Sequence, residues 1–327
     1  MRIGGWGKYL PERIMPNSEL ATLVDTSDEW IRSRTGIRER RIAAPDETTC
    51  TLSVNAARAA LERAQVRPED LDLIIVATCT PDYVNMPATA SLVQHALGAS
   101  RAGAFDLNAV CSGFLYGLAV GSQFILTGVH KSVLVIGADV FTRILDWQDR
   151  STCVLFGDGA GAVVLQPTQQ PGGLLSFVLG SDGAGACSLY VPAGGSRAPA
   201  SAETVADRAH YVKMQGRDVF RFATRVVPES VIQALDQAGL ATDAIDLFIP
   251  HQANVRIIDA TARRLKLAPA AVFSNVERYG NTSAASIPVA LCEAIEADRI
   301  QTGSTVVLSG FGAGLSWGTA VWKWQSD

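Results

Sequence analysis

Two kinds of apolar pattern alternate along the chain. Leu71–Thr78 and Ser132–Gly137 are nearly uninterrupted apolar runs, the pattern of strands covered on both faces. Residues 1–10 predict a glycine-broken strand closed by Pro11, and Ala104–Leu107 another short strand. Between these the spacing is helical. Ser18–Val24 predicts a helix capped by Asn17 or Ser18, Ser27–Gly36 one ended by its glycine, and Thr48–Gln65 a longer one with Leu52, Ala56, Ala60 and Leu61 inward. Met86–Leu97 is also helical in spacing. Cys153–Leu165 predicts two strands joined by a glycine turn, and Ala271–Val276 a further strand. Gly157-x-Gly-x-Gly does not make a dinucleotide loop, because Ala-Val-Val-Leu follows where a phosphate-binding helix would begin.

The second half repeats the grammar of the first. Leu71-Asp-Leu-Ile-Ile-Val matches Ile245-Asp-Leu-Phe-Ile-Pro, 174 positions later, and Val133–Gly137 matches Val306–Gly310, 173 positions later. Such agreement predicts a duplicated strand–helix–strand unit, with halves at 1–171 and 172–327. The junction falls in the Pro, Gln and Gly-rich stretch Gln166–Gly173, and Ser196–Asp207 reads as an exposed loop. Strands alternating with helices give an α/β fold, with helices sandwiched between two sheets if the halves pack as a pair.

Composition narrows the class. Of 327 residues 48% are hydrophobic and 18% charged, and the net charge of −4 gives no global field for nucleic acid. The N-terminus lacks the apolar core of a signal peptide, and no segment reaches membrane-spanning length. Six cysteines without close pairs fit reduced thiols in a cytoplasmic protein, not a disulfide framework or a metal site.

One cysteine stands apart. Asp106–Val120 delivers Cys111 on a polar approach directly before a glycine-punctuated apolar helix, whose positive end favours a thiolate. Of four histidines, His251 alone combines a strand end with a polar cluster, Pro250-His-Gln-Ala-Asn254. Asn281 lies in a second cluster, Arg278–Ser286, and Ser309-Gly-Phe-Gly-Ala-Gly314 provides a loop whose backbone can approach a ligand closely. A thiol, an imidazole, a carboxamide and backbone donors suit acyl transfer through a thioester on sulfur.

These motifs resemble, nearly end to end, the β-ketoacyl-acyl-carrier-protein synthase III family of the thiolase-like superfamily. The matching stretches include Asp25–Ile31, Arg34–Arg40, Cys111-Ser-Gly-Phe, Asp149-Arg150, Phe156–Gly161, His251–Ile258, Gly280–Ser286 and Phe311–Gly314. The resemblance implies a five-layer αβαβα fold and an enzyme without cofactor. Its Cys111 takes an acyl group from acyl-CoA, typically acetyl-CoA, and condenses it with malonyl-carrier protein. It implies that His251 and Asn281 stabilise the enolate, and that the N–H groups of Cys111 and Ala313 form an oxyanion hole. Thr26, Trp30, Arg34, Arg150 and Asn254 are the implied CoA contacts. Arg256, Arg263 and Arg264, with Arg221 extending the patch, would dock the acidic carrier protein. Met86 stands where some relatives place an aromatic that limits the primer pocket of the partner subunit, which implies a homodimer, and a flexible methionine there leaves room for a longer or branched primer besides acetyl-CoA.

Three other functions suit parts of the pattern. A relative serving another acyl acceptor would not need both His251 and Asn281. A Cys-His-Asn hydrolase would need a wet, activated thiol. A non-catalytic partner subunit would have no use for Cys111.

Overall fold

The protein, described over residues 1–325 in a computed structural model, is built on two large sheets. The first contains β1 (Arg2–Tyr9), β2 (Leu73–Ala77), β3 (Gly103–Leu107), β4 (Val133–Asp139) and β5 (Gly159–Gln166), in the order β1-β5-β4-β2-β3. The second contains β6 (Gly173–Ser181), β7 (Leu247–Pro250), β8 (Thr305–Gly312) and β9 (Ser316–Lys323), in the order β6-β9-β8-β7. The two orders are the same once the strands are matched, and so are the directions. The pair β2–β4 is parallel like β7–β8, and β4–β5 is antiparallel like β8–β9. Where the first sheet has β3, the second has only a parallel bridge from Phe248 to Val272.

The strands alternate their side chains between two cores. In β2, Ile75 enters the central core while Ile74 and Val76 face the outer one, against α2 (Thr49–Ala64) and α3 (Thr89–Leu97). In β7 and β8, Ile249 and Leu308 enter the same central core, and Phe248 and Val307 face α5 (Gly216–Gln237) and α6 (Val255–Arg264). The central core is filled by α4 (Gly113–Leu126), through Phe114, Leu115 and Leu118, and by α7 (Ser286–Glu296), through Ile287, Ala290 and Leu291. The result is five layers, αβαβα. Both inner helices begin at the strand ends where loops of the two halves meet.

Local chemistry explains the better-placed boundaries. Ser27 caps α1 (Asp28–Thr35) by accepting from the Trp30 N–H, and Gly36 at φ +81° ends it. Thr48 and Thr51 form a reciprocal capping box at the start of α2.

Four expectations change. The helix foreseen over Ser18–Val24 shrinks to Asn17–Leu20, and Asn17 does not cap it: its side chain is drawn inward, donating to Asp28 and the Ile37 carbonyl and accepting from Arg40. Met86 and Pro87 lie outside α3, which starts only at Thr89. Residues 153–165 hold one strand, not two; Arg150–Cys153 is a helical turn, and Phe156 instead bridges to Asn281 in the other half. The strand foreseen over Ala271–Val276 is a short 3-10 turn and one bridge residue. Within the exposed stretch 196–207, Ala202–Ala206 forms a capped turn of helix.

Candidate active site

Cys111 lies in a 3-10 turn, Val110–Ser112, between β3 and α4. Val110 is a β-branched residue at φ +47°, a strained conformation that sets the cysteine off from the strand. Gly312, at the end of β8, abuts it from the other half; a Cβ there would stand 2.8 Å from the Cys111 nitrogen. Only glycine lets the two chains come this close.

His251 follows β7 and is 2% exposed. Its backbone N–H donates to Ser309 on β8 at 2.8 Å, and the Phe311 ring meets the imidazole edge-on, with centroids 5.4 Å apart. Nδ1 is in hydrogen-bond contact with the Ser286 hydroxyl. Asn281 is held by backbone bonds on both sides: its N–H donates to the Leu155 carbonyl and its carbonyl accepts from the Gly157 N–H. Its side-chain Oδ1 accepts from the Ser283 N–H at 2.8 Å, which leaves the amide NH2 as a donor. These residues share one cavity of about 200 Å³, lined by Cys111, His251, Asn281, Phe311 and Gly312 and opening past Trp30, Arg34 and Asn254.

Burial governs the charges. Cys111 is pushed up to about 12 by desolvation, only partly offset by the Ser283 hydroxyl 3.5 Å from its sulfur. The expected thiolate is therefore corrected. The α-helix proper begins two residues later, and removal of the sulfur from water acts against the thiolate that a helix end favours. Desolvation also lowers His251 to about 3. Thiol and imidazole are both neutral at neutral pH.

Because the native imidazole resists protonation, the unfolded chain takes up a proton near pH 6.5 that the native state refuses until about 3. His251 should lower stability progressively as the pH falls through that window. Its imidazole signals in NMR spectra should show no titration between pH 5 and 8; a midpoint near 6.5 would contradict the buried neutral ring.

Family models cover both halves of the chain. The model described as 3-Oxoacyl-[acyl-carrier-protein (ACP)] synthase III matches residues 105–183, and its C-terminal counterpart matches 235–324. Beta-ketoacyl-[acyl-carrier-protein] synthase III of Symbiobacterium thermophilum is 57% identical over 98% of this chain and 97% of its own length. The solved structure of the Thermus thermophilus synthase III superposes with a TM-score of 0.92 at 46% identity, covering the whole of both chains. That of the Aquifex aeolicus synthase III gives 0.92 at 44% identity over 99% of each. The chain belongs to the β-ketoacyl-acyl-carrier-protein synthase III family.

At the cavity mouth of this synthase III chain, Trp30 lies between two guanidinium groups, Arg34 at 5.3 Å and Arg150 at 5.0 Å from the ring centroid. Arg150 also donates to the Asp25 carbonyl. The Thr26 hydroxyl oxygen is buried with no protein partner, and Thr26 lines neither the cavity nor its outer vestibule. Asn254 caps α6 by accepting from the Arg256 N–H, and donates to the Arg34 carbonyl. Ala313 lines a second, apolar cavity of about 250 Å³ beside Val110, Phe141, Ile144, Leu189 and Val212.

The expected basic patch is divided. Arg221 and Arg256 line the outer vestibule, Arg256 over the Phe220 ring, and Arg217 joins them there. Arg264 turns instead to Glu229, and Arg221 also pairs with Asp218. Arg263 is exposed near the end of α6. Met86 is 79% exposed on a loop with exposed Tyr83 and Val84, and lines neither the Cys111 cavity nor the apolar one beside it.

Several site residues carried no role in the sequence reading. Ser283 and Ser286 lay inside a quoted motif, but hydroxyls among small residues give no signal of direction. Asp139 gives a stronger one: a carboxylate ends an otherwise apolar buried strand. Its Oδ1 accepts from the Thr78 and Thr80 hydroxyls and the Cys79 and Thr80 N–H groups, and its Oδ2 from the Ala284 N–H. It ties the loop after β2 to the turn that carries Asn281.

Proposed function

We propose that this chain catalyses the initiating step of fatty-acid synthesis, a decarboxylating condensation of an acyl-CoA primer with malonyl-carrier protein. The observation that carries the reading is the single cavity that joins a buried cysteine, a buried histidine and a carboxamide to an arginine–tryptophan mouth. Trp30, Arg34, Arg150, Asn254 and Thr26 receive the CoA head, and the thioester reaches Cys111. Sulfur attacks the carbonyl, the Cys111 and Ala313 N–H groups hold the oxyanion, and CoA leaves with the thiol proton. Since the resting thiol is protonated, the proton departs as attack proceeds, not before.

Malonyl-carrier protein then places its arm in the emptied tunnel, guided by Arg221, Arg256, Arg263 and Arg264. Loss of CO2 leaves the bonding pair on the thioester as an enolate. His251 and the Asn281 amide donate to its oxygen; neither titrates at neutral pH, so the site keeps its polarity. The enolate carbon attacks the acyl-Cys111 carbonyl, the sulfur leaves and takes up a proton, and a 3-oxoacyl-carrier protein is released. The chemistry uses these side chains alone, with no cofactor. Intact-mass measurement after exposure to an acyl-CoA panel should show one acyl group on Cys111, and malonyl-carrier protein should then yield CO2 and condensed product. Product formation without an acyl-enzyme, or hydrolysis alone, would overturn the reading.

The chain further acts as a cytoplasmic homodimer. No helix among the described residues is long and apolar enough to cross a membrane. The exposed Tyr83, Val84 and Met86 give the loop after β2 an apolar tip suited to cover a second copy's primer pocket. Light scattering should give twice the chain mass. Met86→Phe should reduce labelling by isobutyryl-CoA several-fold more than labelling by acetyl-CoA, and equal loss for both would disconnect Met86 from primer choice.

A further inference from the structure

The geometry assigns to Ser286 the task of fixing the His251 tautomer, so that Nε2 carries the proton and faces the cavity as a donor. This inference rests on the condensation proposed above and concerns a residue that touches no substrate.

Ser286 opens α7 and is 2% exposed, as is His251. Its Oγ already accepts from the Gln252 N–H at 3.3 Å and is in contact with His251 Nδ1. A hydroxyl has one hydrogen to give. Donated to Nδ1, it satisfies the whole cluster, the Gln252 N–H with Oγ and the hydroxyl hydrogen with the ring, and leaves the imidazole proton on Nε2 toward the cavity. In the opposite tautomer Nδ1–H donates to Oγ, and the hydroxyl hydrogen has no other acceptor among the described residues. A buried donor left without a partner is costly enough to decide the tautomer.

The consequence reaches the reaction through polarity. With the proton on Nε2, the ring offers N–H to the oxygen that gains charge as CO2 departs. With the proton on Nδ1, it would offer a lone pair to an oxyanion, a repulsion in place of a bond. Gln252 strengthens the arrangement: its side chain donates to the Pro250 and Phe273 carbonyls and accepts from the Asn275 N–H, holding the His251 turn rigid. The edge-on Phe311 ring limits rotation of the imidazole.

Ser286→Ala removes the hydroxyl and leaves Nδ1 free to take either state. Decarboxylation of malonyl-carrier protein should slow on the order of 10–100-fold, the range carried by outer partners of a working histidine. Acyl transfer from acetyl-CoA to Cys111 should stay within about threefold of the native rate, since no imidazole donor is used in it. Ser286→Thr, which keeps the hydroxyl, should restore most of the CO2 release. In the native protein, 15N NMR of labelled histidine should show Nδ1 as the unprotonated ring nitrogen of His251, and Ser286→Ala should shift that equilibrium.

A native resting state with the proton on Nδ1 overturns the assignment. So does Ser286→Ala that releases CO2 at the native rate, or that loses acyl transfer and decarboxylation alike, which would mark Ser286 as merely structural. Failure of the native protein to acylate Cys111 at all would instead sink the condensation reading, while the NMR result would still decide the tautomer.

Discussion

Replacing Cys111 by alanine is expected to abolish condensation, with a loss of about 10⁴-fold or more, as for removal of other covalent nucleophiles. No residue near the cavity offers a substitute. Cys79 also lies within reach of Ser283, its sulfur 3.8 Å from the hydroxyl oxygen, but it does not line the cavity that opens past Trp30 and holds His251 and Asn281. Intact mass after acetyl-CoA should therefore show no adduct. Because His251 and Asn281 remain in place, Cys111→Ala should still release CO2 from malonyl-carrier protein without forming the condensed product. A full complement of condensed product from this variant would remove Cys111 from the reaction.

His251→Ala and Asn281→Ala come next in size. Each removes one donor from the enolate, which should lower the decarboxylation rate roughly 10²–10³-fold, or about 2.7–4 kcal/mol. Acyl transfer to Cys111 should be affected far less, since its oxyanion is held by backbone N–H groups. Asn281→Asp tests the orientation of the amide. The Ser283 N–H would still be satisfied by one carboxylate oxygen, but the other would point an acceptor at the enolate, so the loss should match or exceed that of alanine. Single-turnover acylation and CO2 release, measured separately, divide the two half-reactions. Equal losses in both, for either residue, would place it in general support of the cavity.

Much of this was legible from residue order. The uninterrupted runs at 71–78 and 132–137 lie in β2 and β4, and the match between halves reappears as two sheets with the same strand order and directions. Cys111, His251 and Asn281 stood out because each combined a reactive or donor group with the end of an apolar element, and all three line one cavity. Where the reading failed, a contact distant in sequence had replaced a local preference. Phe156 pairs with Asn281 and not with a neighbouring strand, so the segment 153–165 does not form a hairpin. Asn17 turns inward to Arg40 and Asp28, and the helix it was expected to cap is cut short.

Periodicity and residue type alone determined the α/β class, the duplication and the three chemical groups of the site, because apolar spacing and side-chain chemistry are local properties. Only the tertiary structure decided the protonation of those groups and their direction. Folding removes the Cys111 sulfur from water and so raises its pKa, against the direction in which a helix end would move it. The Asn281 amide and the His251 ring point as they do because Ser283 and Ser286 occupy their other ends. Desolvation and hydrogen-bond pairing depend on which distant segments close over an atom, and no short window of sequence contains that information.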